Sequence, residues 1–545
     1  MARLRKVIYG QTGAGPLMLV LLCGLGVNSL FATDWFVRCD GDDSARGTGR
    51  RTAWRTIERV NRAHLQPGDR VLFQASQTFT GNLRLAADDA GTRSAPVIIG
   101  SSGHGRATIF AGTGTGVAVE DAGGITIENL VVVGGGITNN TGYGIFCDNT
   151  LTNATMLDHL RIRNVEVRDF GKHGIQISGA PAGFRHVRIS GCVMRDNLLG
   201  GMEVAGRLPW DKPGCAHADV QVTQCRAFDN PGDPNYHKSH SGSGIVLYQV
   251  DGGVIDRCVA WNNGALNGSG SGGPVGLWTC ASRGVTIQHC ESFGNRTTGA
   301  DGGGFDIDGG CEDCVLQYNY SHDNDGPGLM VYTYPYESRP NRGNVVRFNI
   351  SENDSRKNRT YAGLWVRNDG DGMTGVEVYN NTVLVGPWTD QAASVHGDGV
   401  EACFRNNIFL AQGGVVPLRV EKPHSKLRFE NNLYWRDGSP VPVEWGQKAY
   451  TGLEEWRKET CQELLGGNPL GWFENPRLTL HAPGMRSGQF VGVSNLQAFR
   501  PLPGSPAKNK GLNLRSRFGI GITLDDFVGR RLPATGPWPL GACAR

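Results

Sequence analysis

The chain has 545 residues, with 54 Lys and Arg against 51 Asp and Glu and a formal charge of +3, a balance that argues against nucleic acid as a partner. Its 80 glycines stand singly beside short apolar runs, the pattern of tight turns at regular intervals and not of a disordered Gly/Ser tract. The length would allow several ordinary domains, but an elongated repeat fold can use all of it in one.

At the N-terminus Arg3, Arg5 and Lys6 precede the apolar run PLMLVLLCGLGV (16–27) and small residues up to Ala32. This outline predicts a secretory signal over residues 1–32, since about 12 apolar residues are short for a bilayer span. An uncleaved anchor is the alternative, because Leu30 is a poor residue three before the presumed cut. Removing 1–32 takes away three basic and no acidic residues and brings the formal charge from +3 to zero. The expected location is secreted or periplasmic, with no membrane attachment after signal removal.

Residues 33–110 are expected to form an N-terminal cap and the first turns of a repeat. Within them TAWRTIERVNRAHL predicts a short helix with Ile57, Val60 and Leu65 on one side, suited to covering the open edge of the first turn.

Between 111 and 440 two phrases recur. One is ISGCVMRDN, VTQCRAFDN, IDRCVAWNN and IQHCESFGN, which sets Cys192, Cys225, Cys258 and Cys290 at spacings of 33, 33 and 32 residues. It continues with asparagine at Asn129, Asn164, Asn319 and Asn349, then in YNNTVLV, RNNIFLA and ENNLYW. The other is Gly-apolar-x-apolar, at Gly144, Gly174, Gly201, Gly244, Gly276, Gly304, Gly328 and Gly363. Each repeat therefore carries at least two short strands of period two and no amphipathic helix. Parallel strands without crossover helices mean an all-β fold, a single-stranded right-handed parallel β-helix. Equivalent residues then stack about 4.8 Å apart, and parallel Cβ vectors at that distance exceed the ~3.8 Å that a disulfide prefers, so the cysteine ladder is structural filling. Cys311 and Cys314 can bridge locally. Beyond about Trp435 the phrases stop, and 441–545 is expected to be an irregular C-terminal cap.

These residues resemble a known group. WRTIERVNRAHLQPGDRVLFQASQTFTGNL is similar to the opening, and FRPLPGSPAKNKG to the closing segment, of secreted bacterial right-handed β-helix proteins of the pectate lyase-like superfamily. That resemblance implies cleavage or epimerisation of polysaccharides by lyases, hydrolases or epimerases. DGGGFDIDGG (301–310) is similar to the DGxGFK strand of polysaccharide lyase family nine, whose lysine abstracts the proton α to a uronate carboxyl. Here Asp306 stands in the lysine slot, which moves the expectation toward carboxylate chemistry.

Aligned Gly phrases put Gln176, Glu203, Val246, Trp278, Asp306, Met330 and Trp365 outward. Two residues on come Ser178, Ala205, Tyr248, Cys280, Asp308, Tyr332 and Arg367. DGGGFDIDGG becomes a strand with Phe305 and Ile307 inside and Asp306 and Asp308 outside, their Cα atoms roughly 6.6 Å apart. Asp301 and Asp325 each lie three residues before a Gly phrase and would stack on adjacent turns. So close, the two either share a proton, as suits a general acid, or hold a cation. A possible calcium site would use Asp301, Asp306, Asp308 and Asp325, as in many β-helix lyases. Glu203, Trp278, Tyr248, Tyr332, Trp365 and Arg367 are expected to bind substrate, Trp and Tyr rings stacking on sugar faces. Loops before the same phrase bring His237, Lys238 and His240 (230–244), Lys172 and His173, and His322, while YTYPY (332–336) leaves the other side with Arg339 and Arg342.

The function expected is an exported polysaccharide-active enzyme, a monomeric β-helix whose catalytic set is Asp306 and Asp308 with Asp301 or Asp325. Hydrolysis is preferred because carboxylates outnumber basic groups; elimination or epimerisation would need Lys238, His240 or Arg367 near a uronate. The alternative from another class is a non-catalytic carbohydrate-binding or structural solenoid, with the aspartates holding turns.

Overall fold

The computed structural model describes residues 32–544 apart from 210, 211, 338, 439, 481–490 and 521–523. The expected signal falls outside this range except for its last residue. No helix among the described residues is long and apolar enough to cross a membrane.

Alternation of apolar and polar residues produces short strands, and each strand pairs in parallel with its equivalent one turn later. Phe184–Ser190 pairs with His217–Thr223, Val193–Arg195 with Arg226–Phe228, and Gly200–Gly206 with Ser243–Tyr248. Three parallel sheets result, one of 15 strands and two of 14. The chain is thus a parallel β-helix with three strands per turn, where the phrases suggested at least two. The third strand is concealed because the corner inside the Cys/Asn phrase takes so few residues. In ISGCVMRDN one strand ends at Ser190 and the next begins at Val193. Between them Gly191 turns the chain with φ 62°.

That left-handed corner recurs at Asn129, Asn164, Gln224, Arg257, His289, Tyr318, Phe348, Asn380, Asn406 and Asn431, with φ between 52° and 65°. Asn tolerates this conformation best among residues with a Cβ. Asn129 and Asn164 therefore do not share the cysteine slot, as their phrases suggested; they sit one residue earlier. The doubled asparagines of YNN, RNN and ENN fill both positions.

The slot after the corner points inward and makes a continuous polar thread. Backbone N–H groups of Cys225 and Cys258 donate to the sulfurs of Cys258 and Cys290 at 3.4 and 3.3 Å. The thread passes to Asn319, Asn349, Asn381, Asn407 and Asn432 through N–H to Oδ1 bonds of 2.9–3.0 Å. It ends where Asn432 Nδ2 donates to Glu463 Oε1 at 2.9 Å. A second thread runs Asn197, Asn230, Asn263, Asn295, Asn324 and ends on Asp354 Oδ1. All described cysteines, Cys311 and Cys314 included, are free thiols, so the ladder is filling and no local bridge forms.

Helix Ile57–Asn61 buries Ile57 and Val60, and Thr56 caps it by accepting from Arg59 N at 3.1 Å. At the other end the strand Val443–Trp445 still pairs in parallel, then turns back against Lys448–Tyr450, and helix Leu453–Thr460 buries Trp456. The remaining segment does more than close the end. Leu496, Phe499, Phe527 and Leu540 pack with Tyr320, Ile350, Leu384 and Ile408, and Val491 N and Gly492 N donate to Glu291, some 200 residues earlier. It therefore lies along the flank of the solenoid. His322 is buried beneath this flank between Glu291 and Asp323.

Asp354 is fully buried, and burial pushes its carboxyl up to about 7 against the bonds from Ser351 and Asn324. An unfolded aspartate releases its proton near the ordinary 3.8, so the folded state loses stability as pH rises between these values. Asp354→Asn continues the asparagine thread without a charge. It is expected to raise denaturant stability at pH 8 by up to about 4 kcal/mol, a gain that vanishes below about pH 4.

Candidate functional site

The register places the outward residues as the phrases predict. Gln176, Glu203, Val246, Trp278, Asp306, Met330 and Trp365 pair in succession, as do Ser178, Ala205, Tyr248 and Cys280, then Tyr332 and Arg367. Asp308 N donates to Thr279 O at 2.9 Å, which sets Asp308 between Cys280 and Tyr332.

What the phrases do not convey is how much of this face is covered. Asp306 is 2% exposed and Trp278 and Trp365 6% each, so none is the open platform expected. Val246, Trp278, Cys280, Met330, Tyr361 and Trp365 form a separate apolar cluster outside the solenoid core, with Tyr248, Tyr332 and Tyr334 at its edge. Loops supply the cover. Tyr361 stands edge-on to Trp365 with centroids 5.0 Å apart, and His240 edge-on to Trp278 at 4.7 Å. Trp278 Nε1 donates to Ser243 Oγ at 3.2 Å. On the far side the YTYPY loop lays Tyr334 over Gly309, where a Cβ would come within 2.7 Å of the ring; only glycine lets the loop approach. Glu203, Tyr248, Asp308, Tyr332 and Arg367 stay partly open.

The carboxyls differ sharply. Asp306 Oδ1 is buried with no hydrogen-bond partner. Burial, then the charges of Asp308 and Asp301, hold its carboxyl well above the usual range. Asp308 Oδ1 accepts from Gly309 N at 2.7 Å; burial, with Asp301 and Glu337 nearby, still pushes Asp308 up to about 7. Asp301 accepts from Tyr361 Oη at 2.7 Å and Gly273 N at 2.8 Å, and burial raises it against those bonds.

Asp325 does not join them. Its carboxylate turns to Thr297 N at 3.1 Å and Arg296 at 3.5 Å, so Asp301 and Asp325 share a register but not a site. Backbone donors at a turn pull each side chain to a different side. The calcium set Asp301, Asp306, Asp308 and Asp325 accordingly does not fit. Among the described residues no three His, Cys, Asp or Glu side chains converge to hold a metal ion.

Lys238 lies on the exposed part of its loop, with no hydrogen bond or ion pair to the aspartates among the described residues. His240 meets Trp278, and burial lowers its pKa against the pull of Glu203. Glu203 is three strand steps from Asp306, roughly 14 Å along the column, so it lines the face at a distance from the aspartates.

Three residues escaped the phrases. Tyr361 anchors Asp301 and walls the cluster; the signal was its place in the loop just before the Gly363 phrase. Glu337, buried, accepts from Tyr334 Oη at 2.6 Å and Arg339 N at 2.8 Å, and nothing in YTYPYESR marks it. Asp369 accepts from Arg367 Nε at 2.9 and 2.7 Å and from Tyr332 Oη at 3.1 Å, in a segment, RNDGDG, that has the composition of a turn.

Residues 152–341 match the family model described as the right handed beta helix region. Among solved structures the chain is similar to a lacto-N-biosidase from Eubacterium ramulus, at 17% identity and TM-score 0.50 over 73% of this chain and 67% of that one. A pectate lyase is 16% identical at TM-score 0.42 over 94% and 96%. A mannuronan C-5 epimerase module from Azotobacter vinelandii is 14% identical at TM-score 0.49 over 68% and 91%. Such identities establish the fold alone. No curated protein matches the chain.

An orphaned carboxyl among aromatic rings costs stability. Asp306→Leu is expected to raise denaturant stability by about 1–3 kcal/mol at pH 8. The gain shrinks as pH falls through the ordinary 3.8 of the unfolded aspartate, below which the parent carboxyl is protonated in both states.

Proposed function

We propose that the protein is a polysaccharide-active enzyme that cleaves glycosidic bonds by hydrolysis at Asp306 and Asp308. The observation that carries this reading is the inequality of two carboxyls two residues apart, Asp306 on the strand Gly303–Ile307 and Asp308 just past its end. Asp306, without donors and among apolar rings, keeps its proton and can deliver it to a glycosidic oxygen. Asp308, partly open and holding Gly309 N–H, ionises first and can act as nucleophile or as base toward water. Outward positions two residues apart allow carboxyl separations that span both retaining and inverting geometries. Asp301, fixed by Tyr361, adds negative charge that keeps the proton on Asp306.

Elimination and epimerisation draw less support. Lys238 is exposed with no ion pair to the aspartates among the described residues, His240 packs on Trp278, and Arg367 is held by Asp369. A non-catalytic structural solenoid is favoured by one observation, the closure of Trp278 and Trp365 under loops, which removes them as open platforms for a sugar. Fold likeness does not choose between these, because one β-helix scaffold carries several chemistries.

The test is incubation with a broad polysaccharide panel, following reducing ends and the ultraviolet absorbance of unsaturated uronates. New reducing ends without that absorbance are expected. Asp306→Asn and Asp308→Asn should each lower kcat by ~10²–10⁴-fold. The pH profile of kcat should be bell-shaped, rising through about 7 as the pair loses its first proton and falling when it loses its second. Full activity in both variants would take the chemistry away from Asp306 and Asp308, and binding without any product would favour the non-catalytic solenoid.

A further inference from the structure

The electrostatics around Asp306 and Asp308 bear on which glycan the face accepts. Asp301, Asp306, Asp308, Glu337 and Asp369 contribute carboxyls there. Two arginines stand against them. Arg339 is buried and directs Nε and Nη2 to the carbonyls of Lys212 and Pro209 at 3.2 and 3.3 Å, tying two loops together. Arg367 is different, for its side chain is 41% exposed and it belongs to the same outward column as Asp308 and Tyr332. It is two strand steps from Asp308, about 10 Å at Cα, within reach of a sugar bound there. Its charge is nevertheless countered, since Asp369 accepts from Nε with both oxygens at 2.9 and 2.7 Å. The same carboxylate accepts from Tyr332 Oη at 3.1 Å. Asp369 thus cancels the one partly open arginine of this column next to the aspartates.

We infer that Asp369 is a specificity-determining residue that reserves the face for uncharged glycans and rejects uronate polymers. A uronate brings a carboxylate on each sugar into a site already rich in carboxyls. It could be accommodated only by a cation free to receive it. Arg367 has the planar fork for that contact, but Asp369 already neutralises its charge through Nε. Discrimination through an unavailable charge is a recognised way to refuse one ligand while leaving another untouched. The inference rests on the reading that this face takes a glycan, and it names the class.

The test compares equilibrium binding of neutral polymers (glucans, galactans, mannans, xylans) and of polygalacturonate and alginate by the full chain and by Asp369→Asn. The variant keeps an amide oxygen for Tyr332 and Arg367 and loses only the charge. The parent should bind at least one neutral glycan and no uronate polymer. Asp369→Asn should gain uronate binding by on the order of tenfold or more, fading at high salt, while neutral binding changes by less than about threefold. Uronate binding by the parent equal to or better than its best neutral ligand would overturn the inference and leave the glycan reading in place. So would a variant that gains no uronate affinity although the parent binds a neutral glycan. Binding of neither class by either protein would remove the glycan reading and the inference with it.

Discussion

Everything in this molecule depends on one contact repeated from turn to turn: a backbone N–H at an inward corner donating to the side chain of the equivalent residue one strand spacing later. Parallel strands meet at sharp corners, and the corner N–H groups fall outside the strand ladders. In a dry interior each would cost about 1–3 kcal/mol if left bare. An amide side chain both accepts from the previous turn and donates onward, so a column of asparagines solves the problem at every level at once. Where cysteine takes the slot, sulfur accepts more weakly and fills the space with apolar volume.

That solution has two consequences. Because the repeat is held at fixed spacing, residues two positions apart on a strand, or equivalent on neighbouring turns, are held at set distances on a rigid face. Asp306, Asp308, Tyr332 and Arg367 owe their relation to this register and to nothing in their own loops. The threads must also end. One ends on Asp354, past which the sheets run on without an amide at that corner, and the other on Glu463 at the last turn. Both acids are pushed up to about 7 by burial.

The outward face obeys a different logic. The solenoid leaves three broad flanks, and the chain covers them with unlike material. Two are covered over part of the later turns by the C-terminal segment, whose Leu496, Phe499 and Trp538 pack against Tyr320, Tyr318 and their neighbours. The third carries the aspartates and is covered by loops that leave from between its own strands. Burying Asp306 without a donor among Trp278, Met330 and Trp365 lowers stability with no structural return, which is the pattern of a group kept for chemistry.

The repeat itself was legible in the sequence: the strand alternation, the inward cysteines and asparagines, the outward columns and the pairing of Asp306 with its neighbours all follow from period two and stacking. Those are local rules applied many times, so a single chain carries them redundantly. The third strand per turn was not legible, because a corner of one left-handed residue leaves no gap in the alternation. Nor was the separation of Asp301 from Asp325, because turn N–H groups of Gly273 and Thr297, distant in sequence, decide where each carboxylate points. The closing of Trp278 and Trp365, the anchoring of Asp301 by Tyr361 and the capture of Arg367 by Asp369 were decided only by the tertiary structure. Loop side chains carry no periodicity, and their contacts exist only once the solenoid has fixed where each loop begins and ends.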